Sequence, residues 1–599
     1  MLTRFLRGLA LLALLALPPR APGTESASVQ ETTAALIDRL LTELRPYELR
    51  RVSEREVERL LTPEERRILG TEHITFRVNV PITVFVVRGA SPKSDPFWLR
   101  EQSFIRSTNQ WIIDKAELEI WEREFDAGEI GLGINSFVGG GTHYVVVLAP
   151  KYPGDAVIVT DLDPPNLSST NLHAGVKIYA DRDDTFPNIP PQFAGYTLVQ
   201  TCYAMRDDAR VRDLFRWTDH PAGDRPDQIV LTWSGDPRTT QTIQWRTSER
   251  VRHGYVRYSK KADLTNSRIQ PITVRAKTER LYTRFIVNNP VMRHHTATLT
   301  NLEPGATYRY SVGDGSARNW SSPAEFTTAP AASEPFSFIY MGDAQNGLYR
   351  WGSLLRRASR LNPEAAFYLV AGDLVNRGHE RHDWDNFFYN ARGVFSRRTF
   401  IPVIGNHDCL GGHPTLYLNF FDLPQNGPPK IEPERAYAFE YSNSLFVVLD
   451  SNLEPETQTA WLEEQLSSSS AFWKFVTFHH PAFSSAPERD NKKLREMWTP
   501  IFEKHGVDLV LQGHDHAYMR THPLKNGVIT PTASNIPNAP IYLVAVSGTK
   551  MYEQSKVPYS AVAFTNVPTY QVFQVHSNRL TYRAYDINGL IRDQFNLQK

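Results

Sequence analysis

Cysteine is almost missing from this chain: Cys202 and Cys409 are the two among 599 residues. A disulfide framework is therefore excluded, and stability must come from apolar cores or bound metal. The two residues fall in different expected domains, so a bridge between them is not favoured. An excess of either charge is missing too. The 66 Lys and Arg balance 65 Asp and Glu, a formal net charge of +1. That balance gives no support to a nucleic-acid-binding face or a polybasic membrane surface. Beyond the first residues there is no apolar run of the roughly 18 residues that a membrane helix needs. The opening "MLTRFLRGLALLALLALPPRAPG" has Arg4 and Arg7 ahead of an apolar stretch from Gly8 to Leu17, then small residues and prolines. This is the layout of a secretory signal over residues 1–23, too short to span a bilayer. The expectation is an exported protein (secreted, periplasmic or at the cell surface) with no transmembrane anchor once the signal is removed.

What is present reads as several domains, since a chain of this length has room for three or four. Residues 31–70 carry a helical stripe at Leu36, Ile37, Leu40, Leu41 and Leu44, and "TPEE" at 62–65 has the form of a capping box. From residue 72 the apolar period becomes two, as in Ile74, Phe76, Val78, Val80 and Ile82. Residues 72–205 are expected to form a β-rich domain, with strands at 143–150, 156–162, 175–180 and 196–203. No chemistry is legible there. Residues 211–330 contain short strands such as "DQIVLTWSG", "TIQWRTSE" and "TYRYSVGDG". They read as a fibronectin III or immunoglobulin-like β-sandwich. From 335 to 599 strands alternate with helices, which argues for an α/β domain with part of its sheet antiparallel. His294 and His295 in the sandwich read as structural. His379 and His382 read as solvated loop residues.

The chemistry gathers at the ends of the α/β strands. "FSFIYMG" is followed by Asp343, "AAFYLVAG" by Asp373, and "TFIPVIG" by Asn406, His407 and Asp408. "FWKFVTF" is followed by His479 and His480, and "VDLVLQG" by His514 and His516. The carboxyl ends of parallel strands share one rim, where ligands bind. Each residue alone has a plain reading as a cap or turn former, but five in register do not. Carboxylate, amide and imidazole together suit transition metals, whereas calcium would want oxygen alone. In an extended segment His514 and His516 would point the same way.

The order GD…GD…GNHD…HxP…GHxH resembles the calcineurin-like metallophosphoesterases. With a fibronectin-like module in front, it is similar to the purple acid phosphatases and their bacterial relatives. The matching segments are Gly342-Asp343, "GDLVNRG" (372–378), "GNHD" (405–408), "HHP" (479–481) and "GHDHAY" (513–518). The resemblance covers residues 211–599 and not 24–210. It implies an α/β metallophosphoesterase sandwich of mixed sheets flanked by helices. It also implies two divalent or trivalent ions of iron, manganese or zinc. Asp343, Asp373 and His516 would hold one ion; Asp373, Asn406, His479 and His514 would hold the other, with Asp373 bridging. Asp408 would orient a loop, and His480 would be a neighbour. The implied reaction is hydrolysis of a phosphorylated small molecule by metal-bound hydroxide, with His407 as general acid.

Two positions depart from the purple enzymes. Asn376 stands where their metal-binding tyrosine would be, three residues after Asp373. Gln345 stands where other metallophosphoesterases have a histidine ligand; it either gives an amide oxygen to the first metal or is a loop residue. Without the phenolate, a colourless, divalent-metal enzyme is expected, with Tyr518 the first candidate for a substitute. Phosphate monoesters lead as substrates, with a phosphodiesterase or nucleotide pyrophosphatase as the alternative. A non-catalytic surface binding protein is disfavoured, because no ligand of the set has been lost. Nothing in the pattern fixes an oligomeric state.

Overall fold

Ser28, Ser53 and Thr62 each begin a helix in the same way. Each side-chain oxygen accepts from the backbone N–H three residues on, and Glu31, Glu56 and Glu65 reach back to the capping residue's own N–H. Two orphan donors per helix are thereby satisfied. The helices are Val29–Glu43, Glu54–Leu60 and Pro63–Thr71, with Leu36, Ile37 and Leu40 of the expected stripe buried. The computed structural model describes residues 27–89, 95–109, 111–113, 116–265, 268, 270–530 and 539–599. The expected signal, residues 1–23, lies outside them. The chain divides into two units, Met1–Phe215 and Arg216–Lys599.

In the first unit, among the described residues, strand Ile74–Val78 pairs between Gly128–Leu132 and Val159–Asp163 in a three-stranded sheet. A seven-stranded sheet has Ile82–Gly89 at its centre, between Ala116–Phe125 and Val145–Pro150. The strand expected at 175–180 does not form: Lys177 makes only an isolated bridge with Thr185. Gly175 there takes a positive φ of 86°, a turn conformation that ends pairing. His73 and His143 lie buried in this unit with their Nε2 atoms 3.1 Å apart.

The second unit has two parts. Strands Asp227–Thr232, Gln241–Ser248, Val291–Leu299 and Lys277–Tyr282 form one four-stranded sheet; Ile272–Arg275, Tyr255–Lys260, Thr307–Gly313 and Ala324–Thr327 form a second. Ile243, Trp245, Val256, Tyr310 and Phe326 share one core between them. His295 is buried there, bonded to Thr247 at 2.7 Å and Thr278 at 2.9 Å, and is structural as expected.

The α/β part has two facing sheets. Phe336–Met341, Phe367–Ala371 and Thr399–Val403 run parallel in a six-stranded sheet that Thr569–Val575, Arg579–Asp586 and Ile591–Gln598 complete antiparallel. In the seven-stranded sheet Ser444–Val448, Trp473–Thr477, Leu509–Gln512 and Ile541–Val544 run parallel. Phe338 joins the sheets: its ring lies 4.6 Å from Phe573 in its own sheet and 5.3 and 5.4 Å from Phe446 and Phe475 in the other. Ring contacts of this kind add about 0.5–1.5 kcal/mol each beyond area burial.

The sandwich is tied to the α/β part by buried charge. Arg246 Nη1 lies 2.6 Å from Asp385 Oδ1 in helix Arg381–Ala391, with both side chains buried. Thr218 donates to Asp385 Oδ2 at 2.7 Å and Gln228 to Oδ1 at 3.0 Å. Cys202 and Cys409 are both free thiols. No described helix is long and apolar enough to cross a membrane.

Candidate metal centre

Asp343, Asp373, His479 and His514 each stand two residues past the end of a parallel strand, and Asn406 stands three past. The first sheet supplies carboxylates and amide; the second supplies imidazoles. Glycines precede most of these candidate donors because the loops pass within van der Waals contact. A Cβ on Gly405 would lie 2.2 Å from the Asp373 nitrogen, and one on Gly372, at φ 85°, would lie 2.4 Å from His479 Nδ1.

The loops are bonded to each other. The His514 N–H donates to both Asp343 oxygens at 3.0 and 2.8 Å, and the His407 N–H donates to Asp373 Oδ1 at 2.9 Å. Asp408 is buried and accepts from Leu374 (3.0 Å), Val375 (3.3 Å) and Gly405 (2.9 Å), so it joins the loops that carry Asp373 and Asn406. His479 Nδ1 gives its hydrogen to the Ala371 carbonyl at 2.9 Å, and His516 Nδ1 gives its own to the Lys550 carbonyl at 3.1 Å. Both Nε2 atoms are thereby left as lone-pair donors turned inward, the arrangement that metal-ligating histidines show.

Two groups of donors result. Atoms of Asp373, His479 and His514 lie within 4.8 Å of one another, and so do atoms of Asp343, Asp373 and His516. Asp373 belongs to both. Asn406 Oδ1 adds a donor to the first group, 3.1 Å from His479 Nε2 and 3.0 Å from His514 Nδ1. His514 and His516 thus serve different groups. The expectation that they point the same way fails because neither is extended; φ is 74° at His514 and 47° at His516. Asp343 and Asp373 share this left-handed backbone, with φ of 47° and 52°.

The electrostatics ask for positive charge between the sheets. Burial pushes Asp343 well above the usual carboxylate range. Burial acts on Asp373 in the same sense, but His479 beside it and the His407 amide hold it below that range. Burial opposes charge on His479, yet Asp373 and Asp343 lift it to about 10. Burial and the neighbouring His479 push His514 far down, and burial holds His516 at about 4. Two buried carboxylates, an amide oxygen and three imidazoles converging here are a donor set that two cations would fit.

Other expected residues fall out differently. His407 Nδ1 meets the Asn376 carbonyl at 2.7 Å. Asn376 contributes that backbone oxygen while its side chain belongs to an exposed residue. Tyr518 is buried, and its hydroxyl lies 2.7 Å from Asp593 and 2.8 Å from Tyr582, so it is committed away from the centre. His480 Nδ1 is held by the Ser451 hydroxyl at 2.8 Å. His379 is exposed, but His382 is half-buried between Glu380 and Asp383 and is not a solvated loop residue. Residues far along the chain complete the surroundings without any local signal. Arg489 donates to the His514 carbonyl at 3.1 Å, and the Tyr552 ring lies 4.8 Å from that of His516.

Residues 336–518 match the calcineurin-like phosphoesterase family, and residues 226–328 match the purple acid phosphatase N-terminal domain. The two matches stand side by side, a purple acid phosphatase N-terminal domain followed by a calcineurin-like phosphoesterase domain. Among curated proteins the chain is 27% identical over 294 residues to an uncharacterised protein of Mycobacterium tuberculosis, covering 42% of this chain and 55% of that one. To purple acid phosphatase 18 of Arabidopsis thaliana it is 25% identical over 320 residues, 51% of this chain and 68% of the relative. To the Fe(3+)-Zn(2+) purple acid phosphatase 12 of the same plant it is 26% identical over 282 residues, 42% and 59%. The chain thus spans about half the length of the first curated relatives it matches. The solved purple acid phosphatase from yellow lupin (Lupinus luteus) seeds shares the fold at 14% identity and a TM-score of 0.55, covering 88% of this chain and 91% of that one. A share that large cannot be confined to residues 211–599, so the likeness of fold extends into the N-terminal unit, where the sequence motifs do not reach.

Proposed function

We propose that this metallophosphoesterase hydrolyses phosphate monoesters. The observation that carries the reading is the pair of donor groups sharing Asp373. Asp343, Asp373 and His516 would hold one cation; Asp373, Asn406, His479 and His514 would hold the other. Two cations bound there would lower the pKa of a water toward neutrality and offset charge on the phosphoryl oxygens. The chain's own contribution is to keep these donors aimed and to supply a proton. His407 gives its Nδ1 hydrogen to the Asn376 carbonyl, which leaves Nε2 free to carry a proton. As water's oxygen bonds to phosphorus and the ester P–O bond breaks, that proton passes to the leaving alcohol oxygen. Water then restores it. General acids of this kind are worth roughly 10²–10⁴ in rate.

The fibronectin III-like character of residues 211–330 and export by residues 1–23 belong to the same reading. Turnover of an alkyl phosphate and an aryl phosphate by His407→Ala and wild type tests it. The expected loss is about 10²–10⁴-fold for the alkyl ester and far less for the aryl ester, at unchanged metal content. Equal losses on both would remove His407 from proton donation. A diester cleaved faster than either monoester would replace the substrate class.

A further inference from the structure

Gln345 is the polar side chain at this centre whose role the paired donor groups leave open. It is 4% exposed. Its amide nitrogen stands 2.8 Å from Asp373 Oδ2 and 3.3 Å from His516 Nε2. Those two atoms belong to residues of one donor group, completed by Asp343. The amide oxygen, on the far side, is buried without a partner. No donor anchors that oxygen, so nothing there opposes turning the amide about its last bond. The turn exchanges nitrogen and oxygen within the same volume.

With protein atoms alone, the nitrogen belongs inside, where it donates to Asp373. A cation between Asp343, Asp373 and His516 reverses the preference. Amide hydrogens aimed at it would be repelled, whereas the oxygen would join a carboxylate and an imidazole whose lone pairs already converge. We propose that Gln345 Oε1 is a ligand of this cation, completing an oxygen-dominated position that selects a hard divalent ion of the manganese type. The proposal rests on the metal-centre reading above. Two carboxylates, an amide oxygen and one imidazole stand here; two imidazoles, an amide oxygen and the shared carboxylate stand opposite. Carboxylate and carbonyl oxygens suit manganese, while imidazole suits zinc and iron. A neutral amide also adds no anionic charge for a trivalent ion.

The test is metal counting during chelator titration of the Mn2+-loaded full chain, comparing wild type with Gln345→Ala and Gln345→Glu. Gln345→Ala is expected to keep one ion at wild-type affinity and to release the other about 10–100-fold more readily, the range for lost support of a metal site. Gln345→Glu is expected to hold that ion more tightly than wild type. A merely structural role would lower the melting temperature of metal-free Gln345→Ala and leave both release midpoints unmoved, which would overturn the proposal. Should the alanine variant fail to fold, an unmoved midpoint in Gln345→Glu overturns it equally. A wild-type protein that binds both ions and cleaves no phosphoester would sink the functional reading while leaving the ligand assignment intact.

Discussion

Two pairs of histidines in this molecule bring ring nitrogens almost equally close, with opposite results. In the α/β part His514 Nδ1 stands 3.2 Å from His479 Nε2; in the first unit His73 Nε2 stands 3.1 Å from His143 Nε2. Two lone pairs cannot face each other at that distance unless something positive lies between. In the first unit a proton suffices. His143 Nδ1 gives its hydrogen to the Tyr144 carbonyl at 2.9 Å, so its Nε2 accepts from His73 and the pair closes as a neutral hydrogen bond. Burial pushes both rings down, His143 to about 4. In the α/β part Asp373 and Asn406 crowd the same space, His479 is driven up to about 10, and further lone pairs remain unspent. Imidazole contact alone therefore says little about metal. A carboxylate on the same ring nitrogen decides, as Asp373 Oδ2 stands 3.3 Å from His479 Nε2.

The largest expected effect removes what distinguishes the pairs. Asp373→Ala should lower metal content in both donor groups and cut hydrolysis by at least ~10³-fold, since bound ions supply several kcal/mol of transition-state stabilisation. His143→Gln should leave metal content at wild type. Elemental analysis beside a monoester assay checks both, and two retained ions in Asp373→Ala would dissolve the contrast.

A smaller effect concerns acid. Free histidine titrates near 6.5, so below that pH the unfolded chain takes up protons that the buried, neutral pair refuses. Stability from the pair is thus fully present above about pH 6.5 and falls as pH drops toward 4, where His143 charges in the folded state. The loss should reach roughly 3 kcal/mol, because each tenfold change in proton affinity is worth about 1.4 kcal/mol. Asp208, 4.0 Å from His73 Nδ1, and Asp181, whose charge acts on His143, are the acidic groups facing the pair. Melting curves at pH 7.5 and 4.5 should show a smaller acid drop in His143→Gln than in wild type. Parallel drops would show that the pair titrates normally.

The smallest effect is an absence. Asn376 offers only a backbone oxygen to His407, and the Tyr518 hydroxyl is committed to Asp593. The metal-loaded protein should therefore show no intense visible band. A strong absorption would identify an unforeseen phenolate, and Tyr552 beside His516 would be the first to replace.

The candidate donors were legible because a strand end is written locally: an apolar run, a glycine at all but His479, then the donor. The glycine is forced by loop contacts as tight as that of Gly405 with Asp373, so the spacing survives in sequence. The direction of each donor was not legible in strand alternation, and the division of His514 and His516 between two groups came from the family resemblance alone. His514 and His516 look extended on paper, but positive φ at both sends them to different donor groups. Tyr518 looked available because its hydrogen-bond partners, Tyr582 and Asp593, lie 64 and 75 residues away. Strands Tyr255–Lys260, Ile272–Arg275 and Lys277–Tyr282 were missed among charged residues whose alternation is weak. The false strand at 175–180 had the right residues beside a turn glycine.

The buried pair of Arg246 and Asp385 sets the portability of the α/β part. A chain shortened to residues 335–599 would keep the Asp385 carboxylate and the Arg381 guanidinium 3.5 Å from it, and lose the closer Arg246 guanidinium, the Thr218 hydroxyl and the Gln228 amide that also bond it. The cut would also expose the rings of Phe367, Phe439 and Tyr441, which Trp233 of the sandwich covers. The α/β part is therefore not a free-standing cassette. Exchanging its sandwich for that of a relative should cost least when position 246 brings a cation and position 233 an aromatic ring.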